Sequence, residues 1–534
     1  MSVELLLAAV SAADLCLKYG TTLIEAYRDL RGADEAVQSK TLIVEAIWNK
    51  TAIQVEFVKR IAKVLEEDHC RIHLEVLEVL KSKLILAISK IKSVVKTGPN
   101  PSVKRWKYTR VREAIDDSIA QLQQWQKIFD PTWYLILRVG NRLIDDELSR
   151  PGVADFGHSS SSTASEHTKA NTTLTSAQSI RNVVRGNGSN ELHVTLPEGG
   201  LDWTNTRKIK YSSTVLVHRK ASEKVYAVDT ITCDASYNLP RLKADTEDLA
   251  KKLKREDIDA FGFLPCKGVI KQKSPETRKL ASMSLAFQLP YIDTSKAPVS
   301  LREYLLQDRR FSLSRVVEIA KQLARAVSFI HTFDFVHKNI RPETILVFPD
   351  HESKRSSELG LAYLLGFDSF RNVNFHTLRA GDDAWERNLY RHPTRQGLQA
   401  QETYIMQHDV YSLGVCLLEL GLWDSFVEYN SDAGETSSKT APGMELGLSL
   451  ADFKFQSGNI EQTQKIKNQL VSLAKARVPA RMGDKYASVV ITCLTCLDED
   501  SDDFDGDNMQ DEDGILVGVR FIEKVLMKLG EISL

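Results

Sequence analysis

Residues 326–346 read AVSFIHTFDFVHKNIRPETIL, and the order of side chains in this stretch is the starting point for predicting the fold. Its first part belongs to a longer segment with apolar residues at steps of three and four: Val316, Ile319, Leu323, Val327 and Ile330. Such spacing places the side chains on one face of a helix. The sequence therefore predicts a long helix that leads directly into the polar loop VHKNIRPET, residues 336–344.

Three further motifs follow this loop: LGFD at 365–368, YRHP at 390–393 and DVYSLGV at 409–415. In order and spacing, the four stretches resemble landmarks of protein kinases, namely the catalytic loop H-R-D-L-K-P-E-N, the metal-binding D-F-G, the Y-x-A-P-E segment and the start of a large buried helix. The resemblance implies a two-lobed α+β protein-kinase-like domain over 200–534. Its small lobe is expected at about 200–290, where short β-branched runs and one charged helix are predicted, and its large lobe at about 291–534.

The residues that would carry phosphoryl transfer are replaced. This chemistry depends on positioned charge and on metal ions. Asn339 stands where the resemblance implies the carboxylate that accepts the substrate proton, and an amide cannot act as a base at neutral pH. Thr344 stands at the position of the second-metal asparagine, and Gly366 at that of the D-F-G aspartate.

The nucleotide-binding positions are also degenerate. The strand-three lysine aligns with Asp229 in VYAVD, and a carboxylate near phosphate oxygens would repel them by ~1–4 kcal/mol at contact distance. The region KIKYSSTVLV, residues 208–217, contains no glycine and therefore no G-x-G-x-x-G. Asp368 could serve as a remnant metal ligand only in a shifted register that removes Phe367 from its pocket. ATP and magnesium binding are therefore in doubt, and no other cofactor is predicted.

Residues that support the kinase fold are retained. The resemblance implies that His337 braces the catalytic loop, that Arg341 keeps the cation of the loop lysine, and that Asp409 accepts backbone N–H groups from the loop. Gly414 is expected to allow close packing. This combination is typical of a pseudokinase. A divergent active kinase remains an alternative, and so does a misalignment, which would affect Asp229 most and Asn339 least.

The first 150 residues predict an all-α helical bundle. One apolar stripe contains Leu77, Leu80, Leu84, Ile88, Ile91 and Val95. A second contains Ile115, Ile119, Leu122, Trp125 and Phe129, and is expected to stop at Pro131. Residues 151–199, including HSSSSTASEHTKANTTLTS, have few large apolar side chains and predict a flexible Ser/Thr-rich linker.

The helical half carries a resemblance of its own. SAADLC (11–16) and WQKIFDPTWYLIL (125–137) resemble the fungal HeLo-type domain of prion and heterokaryon-incompatibility proteins. YRHPTRQG (390–397), HDVYSLGVCLLELGLW (408–423) and VGVRFIEKVL (517–526) resemble its kinase-like partner domain. The resemblance implies an effector associated with membrane-directed, regulated cell death.

Composition limits the choice of partners and compartment. The chain has 534 residues, 43% hydrophobic and 26% charged, which is ordinary globular composition. The formal net charge of −1 gives no reason to expect nucleic-acid binding. Seven scattered cysteines are no disulfide framework, and no apolar run approaches a membrane span. A cytoplasmic protein is predicted, one that becomes peripheral to membranes on activation.

The stretch 81–112 contains ten Lys/Arg and no Asp or Glu. Lys81, Lys83, Lys90 and Lys92 share a predicted helix and suggest attraction to anionic lipids. The alternative is a solvated face balanced by acidic residues elsewhere in the bundle.

No metal site is predicted. Residues 498–513 only partly fit a calcium loop, Cys493 and Cys496 are expected to be buried helix cysteines, and His69 with His73 is expected in a solvated turn.

Three functions remain open. The favoured one is intracellular signalling, in which a pseudokinase regulates an attached HeLo-like effector. The first alternative is an active, divergent Ser/Thr kinase. The second is a non-catalytic scaffold that self-associates through residues 1–150. The protein partner is unknown.

Overall fold

The chain divides into two compact units in a computed structural model. Met1–Gly188 with Asp511–Val519 form the helical unit, and Ser189–Gln510 with Arg520–Leu534 form the kinase-like unit. The described residues are 2–28, 35–94, 107–149, 173–182, 185, 193–220, 222, 224–233, 238–255, 258–290, 297–307, 310–349, 359–372, 380–399, 402–429, 440–453, 460–499, 501, 503–504 and 515–532. The predicted fold class, a helical region followed by a sheet-containing kinase-like domain, is confirmed.

The helical unit is built from amphipathic helices that share a core. Their bounds are Val3–Arg28 (α1), Glu35–Ile61 (α2), Glu67–Val94 (α3), Lys107–Ile136 (α4) and Arg142–Ser149 (α5). Hydrogen bonds between buried groups join the helices: the Tyr27 hydroxyl donates to Ser118 Oγ at 2.7 Å, and Trp125 Nε1 donates to the carbonyl of Val76 at 2.8 Å. These two bonds pair buried polar groups on neighbouring helices.

The sequence predicted that helix α4 stops at Pro131. In the structure the helix continues to Ile136. Proline removes one backbone donor, and the cost is offset here by packing on both sides, because Phe129 and Trp133 are buried. The Thr132 hydroxyl also donates to the Phe129 carbonyl at 2.7 Å. The histidine prediction was wrong as well, since His69 and His73 are both 1% exposed within α3.

The predicted linker contains a helix, α6, over residues 173–182. Its Arg181 is 2% exposed, forms an ion pair with Asp145 and donates to the carbonyls of Leu137, Val139 and Asn141 at 2.9–3.0 Å. These bonds hold α6 to the end of α4 and the start of α5. A continuous flexible linker over 151–199 is therefore wrong. Residues 151–172, 183–184 and 186–192 of the predicted linker lie outside the described residues.

A six-stranded sheet forms the small lobe of the kinase-like unit, in the order β1-β5-β6-β4-β3-β2. Its strands and the helix that packs on it are Thr195–Leu196 (β1), Leu201–Lys208 (β2), Val215–Arg219 (β3), Val225–Thr232 (β4), Leu239–Leu253 (α7), Cys266–Lys273 (β5) and Leu280–Gln288 (β6). The β-branched runs correctly predicted β3, β4 and β6. β2 and β5 were missed because their polar residues hide the alternation that signals a strand.

Helices dominate the large lobe. The elements are Val299–Ser300 (β7), Leu301–Leu305 (α8), Leu313–Thr332 (α9), Phe335–Val336 (β8), Ile345–Pro349 (β9), Leu359–Leu364 (β10), Arg371–Asn372 (β11), Ala380–Asp382 (β12), Trp385–Asn388 (α10), Gly397–Gln399 (β13), Met406–Leu422 (α11), Val427–Tyr429 (β14), Thr440–Pro442 (β15), Ile460–Met482 (α12), Asp484–Leu494 (α13) and, after α14, Lys528–Gly530 (α15). Helix α14, Ile515–Phe521, begins in the segment Asp511–Val519 that belongs to the helical unit, and its last two residues belong to the kinase-like unit. Among the described residues there are also short 3-10 segments and a π-helical segment, Ile522–Met527. None of the helices, in the ranges described, has the length and apolar character needed to cross a membrane.

Candidate functional site

The loop after β8 is held by a buried carboxylate. Asp409, at the start of α11 and fully buried, accepts the backbone N–H of His337 at 2.7 Å and that of Lys338 at 2.9 Å. It also accepts the Tyr404 hydroxyl at 2.7 Å. These bonds anchor the loop in one conformation, in which Lys338 has a φ of +65°. A positive φ is unusual for a residue other than glycine. It persists here because the backbone N–H of Lys338 is hydrogen-bonded to Asp409.

His337 and Gly414 serve packing. The His337 ring is fully buried and lies against Phe367 with ring centroids 4.8 Å apart. Burial lowers the pKa of His337 to about 4, so the ring is neutral at pH 7. A side chain at Gly414 would place its Cβ 2.8 Å from Cys493 Cβ. Glycine therefore lets α11 approach α13.

Asn339 connects the loop to the LGFD motif. Its amide nitrogen donates to the Gly366 carbonyl at 3.2 Å and to Asp368 Oδ1 at 2.8 Å, while its oxygen accepts Arg341 Nε at 2.8 Å. An aspartate could not donate these bonds, and its charge would repel Asp368. The residue at the position of the catalytic base therefore acts as a crosslink between the two segments.

Thr344 and Gly366 are fitted to each other. Thr344 Oγ1 donates to the carbonyls of Asn339 and Arg341 at 2.8 and 2.9 Å, which turns its methyl group away from these acceptors. Gly366 has a φ of +82°, and a Cβ there would lie 2.3 Å from Thr344 Cγ2. Glycine is thus required by both backbone conformation and space, and an aspartate would not fit where the resemblance implies a metal ligand.

The expected conflict between Phe367 and Asp368 does not arise. Phe367 is buried against His337 and against Phe287, with ring centroids 5.9 Å apart in the second contact. Asp368, the next residue, still reaches Asn339. The sequence argument treated the two placements as exclusive, but the two residues lie in a turn after β10 and their side chains have different partners.

Asp229 lies at the centre of the site. It is on β4 and only 2% exposed. Its Oδ2 accepts the backbone N–H groups of Gly366 and Phe367 at 2.7 and 3.2 Å, and its Oδ1 accepts the Thr214 hydroxyl at 2.5 Å. Burial raises the pKa of Asp229 to about 6, and the charge of Asp368 adds to the rise. The carboxylate therefore already occupies backbone donors of the LGFD motif.

The acidic residues of α7 pair away from this centre. Glu247 forms an ion pair with Lys271 on β5 at 2.5 Å, and Asp248 pairs with Lys252 on its own helix at 3.0 Å. In active kinases a glutamate of this helix pairs with the strand-three lysine. Here Glu247 and Asp248 have other cations as partners, and Asp229 is the residue predicted at the lysine position.

Sequence reasoning missed a buried polar network beneath the site. Arg302 is fully buried, donates to Glu343 at 3.0 Å and to Glu419 at 2.7 Å, and also contacts the Tyr390 hydroxyl. Tyr390 in turn donates to Glu419 at 2.6 Å. No local pattern identifies this network, because its members lie on α8, the catalytic loop, the YRHP motif and α11.

The four lysines of the predicted membrane-binding face differ in their surroundings. Lys81 forms an ion pair with Glu78, Lys90 with Asp117, and Lys83 donates to Gln121 at 2.5 Å. Lys92 is exposed. Intramolecular partners thus occupy three of the four, as the balanced-face alternative expects.

No group of three or more His, Cys, Asp or Glu side chains is placed to hold a metal within the part of the chain that the structure describes. The calcium-loop-like residues Asp505, Gly506, Asp507 and Glu512 lie outside that part.

Part of the second unit is similar to known proteins. Residues 288–425 match the family model of protein tyrosine and serine/threonine kinases. The mitosis inhibitor protein kinase mik1 of Schizosaccharomyces pombe is 26% identical over 227 residues, 41% of this chain and 35% of the relative. A serine/threonine-protein kinase-like protein of Arabidopsis thaliana is 30% identical over 177 residues, 32% of this chain and 44% of the relative.

A probable serine/threonine-protein kinase of Dictyostelium discoideum is 29% identical over 133 residues, 25% of this chain and 7% of the relative. The chain thus spans less than half the length of these three relatives. Residues 288–425 are thus similar to protein kinases, with Ser/Thr kinases among the relatives, and a helical region precedes them.

Proposed function

We propose that this protein is a signalling pseudokinase, in which a kinase-like unit without phosphotransfer activity regulates the attached helical unit as an effector. The observation that carries the proposal is the position of Asp229. A kinase needs a cation at this place to bind phosphate oxygens. Asp229 instead brings a carboxylate, and its hydrogen bonds from Gly366 and Phe367 use donors of the motif that would hold metal.

The metal positions support the same conclusion. Glycine at 366 has no ligand atom, and the space beside Thr344 excludes a larger residue. Asn339 cannot take the proton of a substrate hydroxyl, and its amide is engaged by Asp368 and Arg341. Each residue that stands in place of a phosphoryl-transfer group therefore has a structural role in this chain.

Magnesium-ATP turnover by the full chain tests the proposal. The expected result is no phosphate incorporation, into the chain itself or into a generic Ser/Thr substrate, above that of the Asp368→Ala variant. Robust autophosphorylation that is abolished by Asp368→Ala would overturn the proposal. It would establish instead a divergent active kinase that uses Asp368 as its metal ligand.

The role given to the helical unit is supported by its resemblance to fungal HeLo-type domains and by the helical bundle. The proposed role of the protein is in regulated cell death or non-self recognition. Its resting state is cytoplasmic, and activation recruits it to anionic membranes. Lys92 is the best residue for testing membrane binding, because it is exposed and the other three lysines have partners within the bundle.

Sedimentation with phosphatidylserine vesicles at low salt should fall in Lys92→Glu and change less in Lys81→Glu. If the full chain and both variants ignore the vesicles, but the chain forms oligomers by sedimentation velocity, the scaffold function replaces the membrane effector.

A further inference from the structure

The loop between β2 and β3 corresponds to the glycine-rich loop that covers the phosphates in kinases. Residues 209–214 read IKYSST and form what is named here the 209–214 loop. Glycines let a backbone approach phosphate closely. This loop has side chains instead, and its first residue, Ile209, is only 5% exposed. An apolar side chain is therefore buried at the place where a kinase leaves room for its nucleotide.

Contacts at three points hold the loop down. The Ser300 hydroxyl, at the N-terminus of α8, donates to the carbonyl of Lys210 at 2.7 Å. The Tyr211 ring lies on the Tyr429 ring of β14, with centroids 4.4 Å apart. At the far end, Thr214 donates to Asp229. The first two contacts join the small lobe to the large lobe, and the third joins the loop to the centre of the site.

The tyrosine contact is built on both sides. Tyr211 has a φ of +61°, which a residue other than glycine adopts only where its surroundings hold it. The Lys210 ammonium lies 4.9 Å above the same ring. On the other side the Tyr429 hydroxyl donates to Glu343 at 2.9 Å, and Glu343 is itself held by the buried Arg302. Both rings are thus positioned before they meet.

We propose that the 209–214 loop is a latch, which closes the cleft of the kinase-like unit against adenine nucleotides by docking Tyr211 on Tyr429 and burying Ile209. The inference rests on the proposed pseudokinase function and names how the same site is regulated. The closed latch is the resting state, and its release is the step that a partner or modification would drive. Release separates the rings and exposes Ile209 to solvent.

Cysteine labelling of the full chain, read by mass spectrometry at single peptides, tests the latch. Ile209→Cys places a small thiol at the buried position, and Ser213→Cys places one at an exposed position of the same loop. We expect Ile209→Cys to react at least about tenfold more slowly than Ser213→Cys. Adding Tyr429→Ala should raise the Ile209→Cys rate about tenfold, which corresponds to an aromatic contact of ordinary strength.

Two variants separate the latch from general loosening. Tyr429→Phe keeps the ring and should keep Ile209→Cys protected. Tyr304→Ala removes an equally large ring of the same lobe, which packs on Phe311, and should leave the rate unchanged. Tyr211→Ala provides a second release variant if Tyr429→Ala fails to fold. Equal labelling of Ile209→Cys and Ser213→Cys, or equal effects of Tyr429→Ala and Tyr304→Ala, would overturn the latch.

Phosphotransfer and binding of a fluorescent adenine nucleotide are measured in the same variants. Nucleotide binding that appears only in the release variants supports the latch. Phosphotransfer by them would end the proposed pseudokinase function while leaving the latch in place. If the release variants leave the labelling of Ile209→Cys unchanged and show no phosphotransfer, the latch is overturned and the proposed pseudokinase function stands.

Discussion

Asp229 and Gly366 are joined by a hydrogen bond of 2.7 Å from the Gly366 backbone N–H to the Asp229 carboxylate, although 137 positions separate them in the sequence. The bond links strand β4 of the small lobe to the motif that follows β10. Asp229, predicted to stand at the position of the phosphate-binding lysine of active kinases, is an internal hydrogen-bond acceptor. The consequences can be measured as stability, without any assumption about signalling.

Stability of the kinase-like unit should depend on pH through Asp229. The pKa of this carboxyl is about 6 in the folded chain and 3.8 in its free form, so the folded state holds the proton more tightly. The resulting stabilisation is present below pH 4 and is lost as pH rises through 6, by roughly 3 kcal/mol in total. Asp229→Asn should remove this dependence in urea unfolding at pH 4 to 7.

The neighbouring carboxylate offers a graded comparison. Asp368→Asn removes a charge that helps raise the pKa of Asp229. The pH range over which stability depends on Asp229 should therefore narrow without disappearing. Parallel stability curves for wild type and Asp229→Asn would show that Asp229 titrates as it does in the unfolded chain.

Gly366 should tolerate substitution far less well than Gly397. Both have positive φ, +82° and +79°, but a Cβ at Gly397 meets nothing within 4 Å, whereas one at Gly366 overlaps Thr344. Gly397→Ala should therefore cost only the backbone strain, about 1–2 kcal/mol. Gly366→Ala should cost a further 1–3 kcal/mol, roughly, from overpacking. Equal losses in thermal unfolding would mean that the Thr344 contact relaxes freely.

Asp409→Ala should destabilise the kinase-like unit more than Asn339→Ala. The first change leaves buried donors of His337, Lys338 and Tyr404 without an acceptor, at about 1–3 kcal/mol for each unsatisfied group. Asn339 is half-buried, so water can replace part of its bonds, and a loss of about 1 kcal/mol is expected. Melting temperatures of the two variants test the order, and a reversal would contradict the assigned role of Asp409.

Arg181→Met should loosen the helical unit. It removes the donor that serves the carbonyls of Leu137, Val139 and Asn141, a loss of about 1–3 kcal/mol for each carbonyl left without a partner. Asp145 is 46% exposed, so water can replace its lost ion pair. Arg185→Met is the matched control, because Arg185 pairs with the same Asp145 from an exposed position and should cost at most about 1 kcal/mol. Amide exchange in α4 and α5 reports the difference. Similar exchange in both variants would mean that α6 adds nothing to the unit.

Acid should destabilise the helical unit through His69 and His73. Their rings stack with centroids 5.0 Å apart, next to Phe129, and burial lowers the pKa of His69 to about 4 and that of His73 well below its ordinary value. The unfolded chain therefore binds protons that the folded chain does not. Stability should fall as pH drops below 6.5, by roughly 3 kcal/mol at pH 4 for His69 alone.

The double variant His69→Leu/His73→Leu should flatten this dependence, while His193→Leu, at an exposed position, should not. Pulsed amide exchange of α3 peptides, labelled at one fixed pH after equilibration, provides the measurement. An unchanged slope in the double variant would exclude the histidine pair as its cause.

The sequence by itself determined the helical character of the first unit and the kinase-like character of the second, and it predicted that Asn339, Thr344 and Gly366 stand at positions of catalytic and metal-binding residues. These are local properties, since a motif is defined by spacing along the chain and a helix by the period of its apolar residues. The sequence also led to two errors of the same origin. Pro131 and the polar stretch around Arg181 looked like breaks, because their packing partners lie elsewhere in the chain.

Only the tertiary structure decided which partners these side chains have. That Asp229 accepts the amides of the LGFD motif, that Lys90 pairs with Asp117, and that His69 and His73 are buried all depend on which elements lie side by side. Charge and hydrogen bonding act over a few ångströms in space and are indifferent to distance along the chain. A single sequence lists the groups that can interact, and the packing of the elements selects which of them do.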